Sequence, residues 1–182
     1  SVLPRPRREL SDQLHLRQRS GDVEITLQPQ AGRNRAEQLV DRELELREAV
    51  NGVDSKEYAS TLVQLAFITE IGGDYAASIE YARRALAINE SIGNTMGQGM
   101  AHERIGRVLH LEGNFDEARA HFDRGLELVS IEAGAESIEA SYLTEHIANL
   151  LNHQGQYEQA LKASEQTLAL RKKYVTGDSS EI

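Results

Sequence analysis

The sequence predicts an all-α fold of about seven helices, stacked as antiparallel pairs and entered through an irregular N-terminal tail. Three observations carry this. A block of similar residues recurs four times at near-constant spacing: Ala36–Leu46, Ser78–Ile88, Ala118–Leu128 and Ala160–Leu170, separated by 42, 40 and 42 residues. Apolar residues within and around the blocks recur at three and four, the period of an amphipathic helix. All three prolines (Pro4, Pro6, Pro29) fall in the first 29 residues, leaving the rest free of a helix breaker.

In chain order, residues 1–33 form a basic, proline-containing tail or extended segment. Val23, Ile25 and Leu27 alternate with polar residues before Pro29, a strand-like pattern. A half repeat follows at 34–54, with one helix near 34–50. Full repeats span about 55–94, 95–134 and 135–176, with helices near 55–72, 75–92, 95–112, 115–131, 135–154 and 157–174. Each block opens on a small residue (Ala36, Ser78, Ala118, Ala160) and carries leucine eight positions on (Leu44, Leu86, Leu126, Leu168). The small residues sit where two helices cross, so that the backbones can approach. Before each full block, an apolar-small pair (Leu65-Ala66, Ile105-Gly106, Ile147-Ala148) precedes a glycine and an aromatic. Gly73, Gly113 and Gly155 suit left-handed helix ends, and Tyr75, Phe115 and Tyr157 open the next helix. Asp54 with Glu57, and Asn114 with Glu117, have capping-box spacing.

Residues 173–182 align without a gap on 49–58, the stretch that leads into the first full repeat. Residues 177–182 therefore read as the start of a further repeat. The expectation is a fragment of a longer array, or an array without a polar capping helix. Leu161, Leu168 and Leu170 would then present an uncovered apolar face.

The repeat resembles the tetratricopeptide family over residues 34–182, with its small residue at position eight (Ala66, Gly106, Ala148) and an aromatic after the turn glycine. Its long period is similar to that of kinesin light chains and Pins-type polarity adaptors. It departs from the family in having no tryptophan at position four (Leu62, His102, Thr144) and no proline closing the second helix. The resemblance implies that the antiparallel pairs wind into a right-handed superhelix, in which the first helices of successive repeats line a concave groove. Carried over position by position, that groove holds Phe67 and Glu70 from the first full repeat, with Ser60, Val63, Gln64 and Ile71. The second repeat gives Met100, Glu103, Arg104, Arg107 and His110, with Leu111. The third gives Tyr142, Glu145, His146, Asn149, Asn152 and His153. Asn149 matches the asparagine that grips an extended peptide backbone in Pins-type proteins, and an amide can both donate and accept there. Arg104 and Arg107 suit carboxylates, although Glu103 and Arg107 also have the spacing of a local helical pair. Val63, Glu103 and Glu145 stand where a chaperone-type carboxylate clamp needs lysine.

The function that follows is a protein-protein interaction scaffold, binding a partner peptide of acidic and apolar character along the groove. Replacing Asn149, Arg104 or Arg107 by alanine is expected to weaken binding while barely moving the melting temperature. Two alternatives are self-assembly, through the apolar end or the basic tail, and a peptide-sensing regulatory segment of a larger signalling protein.

Composition narrows the rest. Residues 1–35 hold seven arginines against four acids, a charge of +3, and the remainder holds 13 basic and 25 acidic residues, a charge of −12. That acidic body repels nucleic acid, whose binding depends on phosphate neutralisation. No apolar run approaches the roughly 20 residues of a membrane helix, and with no secretory signal the expected location is cytoplasmic. Cysteine is absent, so disulfides, thiolate metal sites and cysteine nucleophiles are excluded. Gly93, Gly97 and Gly99 have the wrong order for a dinucleotide loop and read as a flexible linker. His102-Glu103 lacks the second histidine of a zinc-protease helix. His146 and His153 share a helical face, with His110 one repeat earlier, but nothing in their spacing makes them converge on a metal. Glu103 and Glu145, equivalent in successive repeats, read as a solvated or ligand-facing row. No cofactor, metal or catalytic residue is expected, and an enzyme is not.

Overall fold

The computed structural model describes residues 14–19, 22–27 and 29–176, with side chains from 38 to 174 apart from Val40. Helices dominate: α1 (Pro29–Asn51), α2 (Lys56–Gly72), α3 (Tyr75–Ser91), α4 (Thr95–Leu111), α5 (Phe115–Ala133), α6 (Ile138–His153) and α7 (Tyr157–Thr176). The seven expected helices are therefore present among the described residues.

The region before α1 differs from the expected irregular tail. Strand β1 (Leu14–Arg19) pairs antiparallel with β2 (Asp22–Leu27), in a register that sets Leu16 against Ile25 and Leu14 against Leu27. The alternation at Val23, Ile25 and Leu27 thus has a partner strand. Helix α1 starts five residues earlier than expected, at Pro29. Proline is tolerated in a first turn, where its missing N–H has no intrahelical acceptor, and its φ is already helical. Residues 1–13, and 177–182 with their further repeat, lie outside the described residues.

The three turn glycines behave as expected, with φ of +81° at Gly73, +82° at Gly113 and +75° at Gly155. A side chain there would be strained, because β-carbons disfavour the left-handed region. The N-caps differ in detail. Ser55, not Asp54, caps α2 by accepting from the Tyr58 N–H, and Asn114 makes no side-chain cap bond with α5. Helix α6 begins three residues late, behind Ser137, which accepts from the Ala140 N–H.

Consecutive helices pack together along the chain, and α2 also packs on α4, and α4 on α6. The first helices of the repeats therefore form the inner layer and α3, α5 and α7 the outer one. Small residues carry the crossings. Ala118 is fully buried, and Gly106 faces Phe122 so closely that an added β-carbon would sit 2.7 Å from that ring. Ser78 donates a 2.7 Å bond to the buried Ala66 carbonyl, joining α3 to α2.

Gly97 and Gly99 are not linker residues: both lie inside α4. A β-carbon on Gly97 would overlap the Asn89 amide, and one on Gly99 would fall 2.7 Å from Val129 and 3.2 Å from the Gly125 carbonyl. The buried Asn89 amide donates to Ala85 O and accepts from Asn94, fixing the α3–α4 turn. Only Gly93, with φ +68°, serves the turn itself.

On α7, Tyr157, Leu161, Leu168 and Tyr174 are exposed, whereas Leu170 is half-buried. Among the described residues, no helix is long and apolar enough to cross a membrane.

Candidate functional site

The inner layer sets side chains from α2, α4 and α6 side by side because the repeat places the same helical face of each toward the concave side. A cleft of about 460 Å³ opens there. Its walls include Phe67 from α2, Met100, Glu103, Arg104 and Arg107 from α4, and Tyr142, Glu145 and His146 from α6. These eight, named from their repeat positions, surround one cavity. Val129, Glu139 and Leu143 complete it.

Glu70 lies behind this wall, buried at 5% exposure. Arg107 Nη2 donates to its Oε1 at 2.5 Å, and Arg104 Nη1 stands 3.9 Å from its Oε2. Arg104 also approaches Glu103 at 3.8 Å and lies over the Phe67 ring, 4.8 Å from its centre. Glu103 accepts from His146 Nε2 at 3.1 Å, and the His146 ring stacks on the buried Phe122. Burial raises the Glu103 carboxyl, but the His146 bond and the charges of Arg104, His146 and Arg107 outweigh it. The net result is a carboxyl below its usual range. The expected local Glu103–Arg107 pair gives way to this inter-helix chain. A carboxylate one helix over, in the half-dry inner layer, offers Arg107 a shorter and better desolvated contact than its own helix does.

On the far wall, Arg171 of α7 reaches over Tyr142, 4.7 Å from the ring centre, and donates to Glu145 Oε2 (2.6 Å) and Ser141 Oγ (3.2 Å). Sequence reasoning missed Arg171, since it belongs to an outer helix and no inner-face pattern reports it. It also missed Glu139, which was findable: Glu139 lies three residues before Tyr142, on the same helical face.

The remaining expected positions spread out from the cleft. Asn149 and Asn152 are exposed on α6 and make no side-chain hydrogen bond among the described residues. His110 packs edge-on against His153, with ring centres 4.7 Å apart, and both touch Phe115. His146 is thus committed to Glu103 and Phe122 while the other two histidines pack on one another. Among the described residues no cluster of three or more ligating groups could hold a metal. Ser60, Gln64, Ile71 and Leu111 are exposed, but Val63 is buried, taken into the core beside Tyr58 and Leu62.

Residues 98–173 match the sequence model of the tetratricopeptide repeat family. The fold is similar to that of BtubC (BKLC) from P. vanneervenii, with a TM-score of 0.66 at 14% identity, covering 79% of this chain and 58% of that one. The chain thus spans 58% of that protein's length, and the likeness is one of fold. A Podosopora anserina putative kinesin light chain protein of nearly identical TPR-like repeats aligns at 15% identity and TM-score 0.48, covering 80% of this chain and 90% of that one. A single-substitution form of it aligns at 14% and 0.48, over 81% and 91%. No curated protein sequence matches the chain.

Proposed function

Taking the chain as a tetratricopeptide-type repeat array, we propose that it is a protein-protein interaction scaffold whose inner cleft receives a segment of a partner protein. Tetratricopeptide repeats generally mediate protein-protein interactions, on a fold that is typically non-enzymatic. The observation that carries the reading is the convergence of Phe67, Met100 and Tyr142 on one cavity. They come from three different helices and are exposed at 39%, 42% and 49%. Exposed large apolar groups gathered in a concave site, with polar groups around them, have the make-up of a binding cleft. Asn149, exposed on the same helix as Tyr142, would hold the partner's backbone by donating to one carbonyl and accepting from one N–H.

The test is affinity capture with the wild-type chain and with a Met100→Ala/Tyr142→Ala variant, read by mass spectrometry. Partners that vanish with the variant, while its helical content and melting stay those of wild type, support the reading. Identical capture by both proteins removes it.

A further inference from the structure

We infer that the partner segment in this cleft is basic and apolar: one large apolar side chain seated among Phe67, Met100 and Tyr142, with a neighbouring arginine or lysine. The inference rests on the cleft reading above and names the partner's chemistry.

The arginines along the face suggest an acidic partner until their neighbours are counted. Arg107 is held by Glu70 and Arg171 by Glu145, at 2.5 and 2.6 Å. Arg104 is sandwiched between Glu70, Glu103 and the Phe67 ring. Its Nε and Nη1 have no hydrogen-bond partner, but both are buried, so an incoming carboxylate cannot reach them without displacing the wall. An acidic ligand would therefore meet guanidiniums already neutralised by an internal carboxylate, and would bring its own charge close to that carboxylate.

The carboxylates are differently placed. Glu139 lines the cleft, is exposed, and makes no ion pair or hydrogen bond among the described residues. Glu145 is 46% exposed although Arg171 holds one of its oxygens. Around the cavity, four carboxylates (Glu70, Glu103, Glu139, Glu145) face three guanidiniums (Arg104, Arg107, Arg171) and His146. The body behind them carries an excess of acid. A field of that sign speeds the approach of cationic segments and slows anionic ones. The free carboxylate at the rim then favours a cation seated beside the apolar anchor.

The experiment is selection of short random peptides, displayed on phage at about 50 mM salt, where surface charge is weakly screened. Baits are the wild-type chain and the Met100→Ala/Tyr142→Ala variant. Enrichment on the wild type alone of peptides joining a large apolar residue to arginine or lysine is the expected result. Glu139→Gln should then weaken the selected peptides by about two- to fivefold, the range of one exposed ion pair, and added salt should weaken them further. Enrichment of Asp or Glu beside the same apolar anchor overturns the inference and leaves the cleft reading standing. So does an affinity indifferent to both Glu139→Gln and salt. Equal enrichment on both baits overturns inference and cleft reading together. A wild-type dimer in light scattering that the double variant dissolves would make a second copy the occupant, and would overturn the proposal of a separate basic partner.

Discussion

Replacing Glu70 by glutamine tests whether the inner face is a set of independent ligand contacts or a built electrostatic frame. The substitution keeps the shape and removes the charge. In the folded chain Glu70 has a 4% exposed side chain between Arg107, 27% exposed, and Arg104, 16% exposed. Removing one partner of a fully buried ion pair costs about 3–5 kcal/mol, because the other charge stays desolvated without compensation. Water reaches Arg107, and Arg104 keeps Glu103 at 3.8 Å, so the cost here is lowered to about 2–3 kcal/mol. For a chain of this size that lowers the melting temperature by about 5–10 °C. Urea unfolding followed by helical circular dichroism reads it directly. Glu112→Gln, an exposed acid on the same array with no ion pair among the described residues, is the control. Glu70→Gln within about 0.5 kcal/mol of that control, the ordinary range of surface substitutions, would refute the argument that this network joins α2 to α4. By the same reasoning, Arg104→Ala and Arg107→Ala should lose stability as well as binding, unlike the stability-neutral behaviour expected from the sequence.

Asn149→Ala should behave in the opposite way. It should weaken a bound peptide by about 1–3 kcal/mol, the cost of leaving partner groups unmet, with melting unchanged because the amide has no partner to lose among the described residues; isothermal titration and melting together decide it. Ala118→Leu and Ala160→Leu, at buried crossings, should destabilise by about 1–3 kcal/mol through overpacking, and unchanged urea midpoints would contradict those crossings. A further prediction concerns His102 and His121, whose Nδ1 atoms meet at 2.9 Å across α4 and α5. Burial, His121 and Arg124 push His102 down to about 4, and burial and Arg83, against Glu117, lower His121. Because the unfolded chain binds these protons first, their contribution is whole above pH 6.5 and is lost as pH falls toward 4. With the pair half-exposed the loss is about 1 kcal/mol. His102→Gln should flatten that part of the stability–pH curve, and a slope identical to wild type would remove the pair as its cause.

The helices were legible because their signals are local. Gly73, Gly113 and Gly155 each end a helix within a few residues of the aromatic that begins the next, so one window contains both events. Caps were less legible for a local reason too. Asp54 and Ser55 are adjacent capping residues, and only the backbone decides between them; it is extended at Ser55, with φ −122° and ψ 154°. Gly97 and Gly99 were misread because glycine in a sequence signals a break, whereas their reasons are Asn89 and Gly125, brought close by tertiary packing.

The cleft divides along the same line. Which residues face inward follows from the repeat, since one helical face per repeat points to the concave side, and eight of the residues so chosen line one cavity. What those residues do to one another does not follow from it. Glu70 and Arg107 are 37 positions apart, Glu103 and His146 are 43, and Arg171 joins Glu145 from an outer helix. A repeat pattern aligns equivalent positions, yet the ion pairs join unlike positions of neighbouring repeats, whose relation is set by how far each helix pair is rotated on the last. The charge that a ligand meets is the residue left after this internal pairing. On the proposed reading, a face rich in arginine presents its carboxylates, and Glu139, the cleft-lining acid without a partner among the described residues, sets the sign of the segment it receives.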